Sequence, residues 1–220
     1  MMHDLLNLIV PSTCAGCRAW DTSLCDRCRQ LHRNSIPVAV EMSENRELSG
    51  RAIGEYSGYL RRITLAAKHD SRRDLSRWLF NAGIELGEHV RIDHEVESVA
   101  VIPIPSGIAR YWRGMLITPT IARGVVAGLQ RSGVCASMEP VLAMKRRTRT
   151  QAGKNRSERR QRRNVFRLRG VAASRACVLV DDVITTGTTI REAVSILEQH
   201  GDVVVAVATV AIVPTSSPHT

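Results

Sequence analysis

The chain has 220 residues, with 31 Lys and Arg against 21 Asp and Glu and a formal net charge of +10. That length holds one medium domain with a small accessory module, and that charge favours anionic partners. No run of about 20 apolar residues occurs, which excludes a membrane-spanning helix. The start, MMHDLLNLIVPSTC, lacks the basic region and apolar length of a secretion signal. A cytoplasmic protein without membrane contact is expected.

Residues 4–10 predict a short amphipathic turn ending at Pro11. Two knuckles follow, Cys14-x-x-Cys17 and Cys25-x-x-Cys28, seven residues apart. Each CxxC turn converges two thiolates, and two such turns close a tetrahedral four-sulfur site of the kind a structural zinc ion prefers. In a reducing compartment this reading outweighs two disulfides or four unliganded thiols. All four cysteines are used as ligands, so the ion has no open position for catalysis. Arg18, Arg27, Arg29 and Arg33 surround the knuckles and read either as a solvated face or as an anion contact. Residues 1–34 thus form a four-cysteine module, and the polar stretch 35–50 reads as a linker, or a lone strand, before a domain at 51–213.

In that domain, Ala52–Tyr56 alternates like a strand, and Tyr59–Lys68 and Asp70–His89 read as helices. Lys68, ending the first, reads as a surface charge, with a position near a ligand site as the alternative. Ser98–Ile102 is a short apolar run, read as a buried parallel strand, and the breaker cluster Pro103-Ile104-Pro105-Ser106-Gly107 stops it. Arg110 and Arg113 follow, before a helix at about Thr118–Gln130. Ligands bind beyond the carboxyl ends of strands in open α/β sheets. The backbone donors of Ser106 and Gly107, with the two arginines, therefore suit an anion; the alternative is a plain strand-to-helix turn. Val141–Met144 is the next strand candidate. Residues 145–169, KRRTRTQAGKNRSERRQRRNVFRLR, carry twelve Lys or Arg and one acid, Glu158. Charges of one sign this dense repel, so a mobile basic loop is expected. It reads as a lid over a polyanion, a nucleic-acid contact or a solvated loop. With Phe166 as its one aromatic, base stacking has little support. Cys135 and Cys177 read as small core residues, and 214–220 as a disordered tail.

The richest stretch is CVLVDDVITTGTTI, Cys177–Ile190. An apolar strand ends in two adjacent acids, Asp181 and Asp182, and passes through Thr185-Thr186-Gly187-Thr188-Thr189 into a helical pattern. Thr189 with Glu192 fits a capping box, and Gly201 a helix stop. The nearly all-apolar stretch Val203–Val213 reads as a strand buried on both faces. A helix start offers unpaired N–H groups and partial positive charge to a phosphate, the threonines add hydroxyls, and Gly187 permits close backbone approach. No lysine lies in the turn and no G-x-x-x-x-G-K-[ST] occurs, which disfavours a P-loop nucleotidase. Carboxylates would repel a phosphate but accept from ribose hydroxyls, and would stabilise an oxocarbenium-like transition state. The stretch therefore reads as a grip for a ribose 5-phosphate, against the plainer alternative of a strand end and helix cap.

The segment VLVDDVITTGTTI resembles the phosphoribosyl pyrophosphate motif of type I phosphoribosyltransferases, and the chain with its four-cysteine knuckle resembles the ComF family. Further matches are Pro103-x-Pro105 with Arg113-Gly114, and Thr148, Gln151, Gly153 and Asn164 in the basic loop. The resemblance implies an α/β fold, with a mainly parallel sheet flanked by helices after a small zinc-binding module. It implies that Asp181 and Asp182 hold the ribose hydroxyls and are the catalytic acids, and that Thr185, Thr186, Gly187, Thr188 and Thr189 hold the 5-phosphate. It further implies that Ser106, Gly107, Arg110 and Arg113 face pyrophosphate, that Arg149, Gln151 and Lys154 lie in a mobile lid, and that Mg2+ accompanies the pyrophosphate. Residues 51–70 are the implied source of a hood over the acceptor base. The expected activity is transfer of the phosphoribosyl group to a nitrogenous acceptor with release of pyrophosphate. The alternative is a non-catalytic phosphoribosyl-ligand-binding protein in DNA uptake, with nucleic acid or a competence protein as partner. The chain departs from the family pattern at Met115-Leu116-Ile117, where Phe-Asn-Gln is usual, at Ser106-Gly107, and at Lys154, where leucine is common.

Overall fold

The computed structural model describes residues 13–70, 73–105, 116–145, 165–169 and 175–214. Its strands are β1 (Ile36–Ser43), β2 (Arg46–Glu55), β3 (Ser98–Pro103), β4 (Cys135–Met138), β5 (Leu142–Met144), β6 (Phe166–Leu168), β7 (Ala176–Ile184) and β8 (Val203–Ile212). Its helices are α1 (Asp26–Arg29), continued by a 3-10 turn at Gln30–Arg33, then α2 (Gly58–His69), α3 (Ser76–His89), α4 (Ile117–Arg131) and α5 (Thr188–Gln199).

Six strands form one sheet in the order β1-β2-β8-β7-β3-β4. The β1–β2 pair is antiparallel; β2–β8, β8–β7, β7–β3 and β3–β4 are parallel. The chain leaves β3 towards β4 on one side, then returns to β7 on the other. The gap between the carboxyl ends of β3 and β7 is therefore a topological switch point, the usual ligand crevice of such sheets. In β7, Val178 and Val180 join one core while Cys177 and Leu179 join the other. This follows from the two-residue alternation of strand side chains, and it explains an apolar run unbroken by polar residues.

The first core lies under α2, α3 and α4, and the cysteine knuckles pack into it through Cys14, Ala15, Leu24 and Cys28. On α2, Leu60, Ile63, Thr64 and Ala67 are buried, the spacing of one helix face. α3 and α4 meet backbone to backbone. A Cβ built on Gly124 would lie 2.1 Å from the Phe80 carbonyl oxygen, and one on Gly83 would lie 2.2 Å from that of Ile121. Gly87 and Gly128, one turn further along each helix, repeat the contact at 2.3 Å each. Among the described residues the second core lies under one helix, α5, completed by Val40 and Leu48 of the β1–β2 hairpin and by Leu142 and Phe166 of a small antiparallel β5–β6 sheet.

Several expectations change. Residues 35–50 are not a linker: β1 and the first part of β2 lie within them and extend the main sheet through β2–β8 pairing. Alternating strands with one polar face lack the apolar density that marks a buried strand, which is why residues 36–51 give no clear sign of a paired hairpin. The basic segment 145–169 is not loop throughout. Val165 accepts from Lys145 N–H, and β6 pairs with β5 from Phe166 to Leu168, with Phe166 buried. Residues 146–164 lie outside the described residues, as do 1–12 and the tail beyond Pro214. The second helix begins at Ser76 rather than Asp70. The Asp74 carboxylate accepts the Ser76 N–H at 2.9 Å, and this bond holds Asp74 below the usual carboxylate range. Cys177 is a core residue as expected, whereas Cys135 is exposed at the start of edge strand β4. Among the described residues no helix is long and apolar enough to cross a membrane.

Candidate functional site

The acid pair ends β7 beside that switch point. Ile104, just past β3, donates its N–H to the Val180 carbonyl at 2.9 Å, so the two strand ends are stitched together one residue before Asp181. Successive strand residues point to opposite faces, and the two acids accordingly meet different surroundings. Asp181 is half-buried, and its Oδ1 accepts the Asp182 N–H at 2.8 Å. Asp182 is buried, and its Oδ1 lies 2.9 Å from Lys68 Nζ, with 11% and 14% of the two side chains exposed. Lys68, read chiefly as a surface charge, is thus the cation facing Asp182. A signal existed: Lys68 stands four residues after Thr64, on the buried stripe of its helix.

The turn beyond β7 is short. Gly187 adopts φ +70°, a left-handed conformation that L side chains rarely take, and a Cβ there would also lie 2.8 Å from Val40 Cγ1. α5 then starts at Thr188 with Gly187 as its N-cap, and no side chain caps it. The expected box of Thr189 and Glu192 is therefore absent. Its physical reason is that the positive-φ glycine turns the chain one residue earlier, leaving Thr189 already inside the first turn. Thr185, Thr186, Thr188 and Thr189 are all exposed, and the Thr186 and Thr188 hydroxyls lie 2.9 Å apart. Arg191 braces the turn from its far side. Its guanidinium donates to the Thr186 carbonyl at 2.7 Å, the Thr188 hydroxyl at 3.3 Å and, on the β1–β2 hairpin, the Glu41 carbonyl at 2.8 Å. The result is an uncapped helix start ringed by hydroxyls, beside two carboxylates. Its chemistry suits an anion at one end and hydroxyl donors at the other.

Ser106, Gly107, Arg110 and Arg113 lie outside the described residues, and so do Arg149, Gln151 and Lys154. Pro103 and Ile104 are described and buried at the β3 end beside β7.

The four cysteines converge. The Sγ atoms of Cys14, Cys17, Cys25 and Cys28 all lie within 4.8 Å of one another, with Cys14–Cys25 at 3.7 Å and Cys17–Cys25 at 3.5 Å. A tetrahedral zinc with bonds of about 2.3 Å separates its sulfurs by about 3.8 Å, so the donor set fits that ion. Cys25 N–H points at Cys14 Sγ at 3.4 Å. At Cys14, burial favours the neutral thiol, but amide hydrogen bonds from Cys25, Cys17 and Gly16 outweigh it and bring the thiol down to about 6. Burial first, then the neighbouring thiols, push Cys28 up. A Cβ on Gly16 would lie 2.5 Å from Cys28 Sγ and 3.3 Å from Ile63 Cδ1, which packs the knuckle directly on α2.

A mainly parallel sheet flanked by helices, ending β7 in an acid pair and a hydroxyl-rich turn, and preceded by a four-cysteine cluster, is a phosphoribosyltransferase-like fold. Residues 121–219 match the family described as the phosphoribosyl transferase domain. The transcriptional regulator GfcR of Methanoculleus marisnigri is 54% identical over 35 residues, which are 16% of this chain and 17% of that protein. The chain thus spans about a sixth of that curated relative. Among solved structures, the allosteric regulatory enzyme of purine biosynthesis is 25% identical, with a TM-score of 0.39, over 61% of this chain and 25% of that one. A hypoxanthine phosphoribosyltransferase from Staphylococcus aureus is 13% identical, with a TM-score of 0.33, over 62% of this chain and 61% of that one.

Proposed function

We propose that this protein binds phosphoribosyl pyrophosphate and transfers its phosphoribosyl group to a nitrogenous acceptor, releasing pyrophosphate. The observation that carries this is the geometry at the end of β7: Asp181 and Asp182 lie one short turn from an uncapped helix start ringed by four exposed threonines. In this reading the α5 N–H groups and the hydroxyls of Thr185, Thr186, Thr188 and Thr189 hold the 5-phosphate, with Gly187 shaping the turn. Asp181 and Asp182 accept from the ribose hydroxyls. As the bond from the anomeric carbon to pyrophosphate breaks, the leaving oxygen keeps the electron pair, and the acceptor nitrogen's lone pair forms the new bond. The nearby carboxylates stabilise the positive charge that develops on the ring.

Ser106, Gly107, Arg110 and Arg113 are the proposed pyrophosphate side, and Arg149, Gln151 and Lys154 belong to the proposed lid, which excludes water on closing. Mg2+ would be held with the pyrophosphate of the ligand, where it would offset the leaving group's charge. Asp182 already spends Oδ1 on Lys68 and Asp181 spends Oδ1 on an N–H, so the pair is not a preformed cage. This fits an ion that keeps waters and phosphate oxygens as its main ligands. Zinc at Cys14, Cys17, Cys25 and Cys28 is proposed as structural, in a module of residues 1–34 joined to the catalytic domain by shared core packing. The whole resembles the ComF family and is proposed to act in the cytoplasm.

A second reading is ligand binding without turnover, in DNA uptake or regulation, with the basic segment contacting nucleic acid or a protein partner. It is favoured by the departure at Met115-Leu116-Ile117 and by the 35-residue likeness to a protein named as a transcriptional regulator. Pyrophosphate release from phosphoribosyl pyrophosphate and Mg2+, across a panel of bases and amines, separates the two. Release that Asp181→Asn abolishes supports transfer. Binding without release from any acceptor selects the second reading, and absence of binding refutes both.

A further inference from the structure

We infer that Lys68 is a positioning residue of the ribose grip: it acts through Asp182 and makes that grip depend on α2. This rests on the ribose reading of the acid pair. The ion pair is short at 2.9 Å, and both side chains are largely withdrawn from water. Exposed pairs such as Arg46 with Glu198 contribute little, because water screens them and long side chains lose freedom. Here the partners are held by their elements. Lys68 follows Ile63, Thr64 and Ala67 on the buried face of α2, and Asp182 is fixed by the β7 backbone between β8 and β3.

Two consequences follow for a ligand. A sugar phosphate approaching Asp181 and Asp182 meets two negative charges, and the Lys68 ammonium offsets one of them within hydrogen-bond distance. The ammonium also holds Asp182 in one orientation, while a carboxylate keeps further lone pairs for a hydroxyl donor. The phosphate turn has its own brace, Arg191, on the opposite side of the motif. Hydroxyl recognition and phosphate recognition are therefore separately supported, and Lys68 serves the first. It comes from residues 58–69, outside the span 121–219 that matches the transferase domain, so the grip is a composite of two parts of the chain.

The test compares ribose 5-phosphate with tetrahydrofurfuryl phosphate, the same ring and phosphate without ring hydroxyls, by calorimetric titration of the full chain. Wild type is expected to prefer ribose 5-phosphate by about tenfold or more, the worth of hydrogen bonds to a charged acceptor. Lys68→Met should collapse that preference to within about twofold, weakening ribose 5-phosphate far more than tetrahydrofurfuryl phosphate, which loses only the smaller share due to charge; Lys68→Arg should restore most of it. In an Asp182→Asn background, Lys68→Met should change the preference no further. An undiminished preference in Lys68→Met overturns the inference. So does equal loss of both ligands, which marks Lys68 as merely structural. If wild type itself shows no preference between the two, the ribose reading fails and takes this inference with it. If Lys68→Met does not fold, Lys68→Gln supplies the same comparison.

Discussion

The two faces of the sheet are built differently. Among the described residues, one carries three helices and the cysteine knuckles, and the other carries α5, a hairpin edge and a two-stranded sheet. On the crowded face, α3 and α4 touch through glycines, which brings their axes close and leaves no space for a ligand. On the sparse face, α5 starts without a cap and its threonines stay exposed. The difference teaches a division of labour. The crowded face supplies rigidity and, through α2, a largely buried cation. The sparse face leaves helix N–H groups and hydroxyls open, which is what an anion site requires.

The largest break is expected at the knuckle. Cys28 is fully buried in the first core. Cys28→Ser should abolish binding of about one zinc per chain and cost several kcal/mol, because metal binding and local folding are one event. Metal analysis with a melting curve reads both, and a variant that keeps its zinc refutes the four-sulfur site. Next is the helix crossing. Gly124→Ala forces a methyl to 2.1 Å from a carbonyl oxygen, so the helices must separate. A loss of about 1–3 kcal/mol by urea denaturation is expected, as for other overpacked cores. Ser195→Ala on the exposed side of α5 should stay within about 0.5 kcal/mol. Equal effects at both positions would erase the contrast between the faces.

Smaller still is the brace. Arg191→Ala removes the bonds to Thr186, Thr188 and Glu41. It should cost about 1 kcal/mol or less in stability while weakening tetrahydrofurfuryl phosphate severalfold, and unaltered affinity would show that the turn holds itself. The mildest probe alters no residue. With the knuckle loaded with zinc, a maleimide should label exposed Cys135 once and spare Cys177 until the protein unfolds. Burial, then the Asp202 charge, push the Cys177 thiol up to about 12 against the opposing pull of Arg175, so thiolate is scarce at neutral pH. Prompt double labelling of native protein would contradict the tight second core.

Much was written locally. The knuckle spacing, the apolar run of β7, the acid pair, the turn and α5 are each determined by neighbours in sequence. Their physics is short-range: strand burial, a glycine at positive φ, a helix stripe. What the sequence did not disclose depends on residues far apart in the chain. The end of β2 announces itself by alternation, but residues 36–51 carry too weak a pattern to show a hairpin, and only pairing of β2 with β8 makes it part of the sheet. β6 hides in a run of arginines because a three-residue strand needs its partner β5 to exist. Gly83, Gly87, Gly124 and Gly128 are unremarkable until two helices cross. Lys68 is the sharpest case. A lysine at a helix end is solvated by default, and only the packing of α2 over the end of β7 turns it into the partner of Asp182. Sequence alone determined the pieces of the proposed site: the acid pair, the glycine turn and the threonines. Tertiary structure decided which charge stands beside them, because the helix stripe puts Lys68 on the buried face of α2 but only packing between distant segments names Asp182 as its partner.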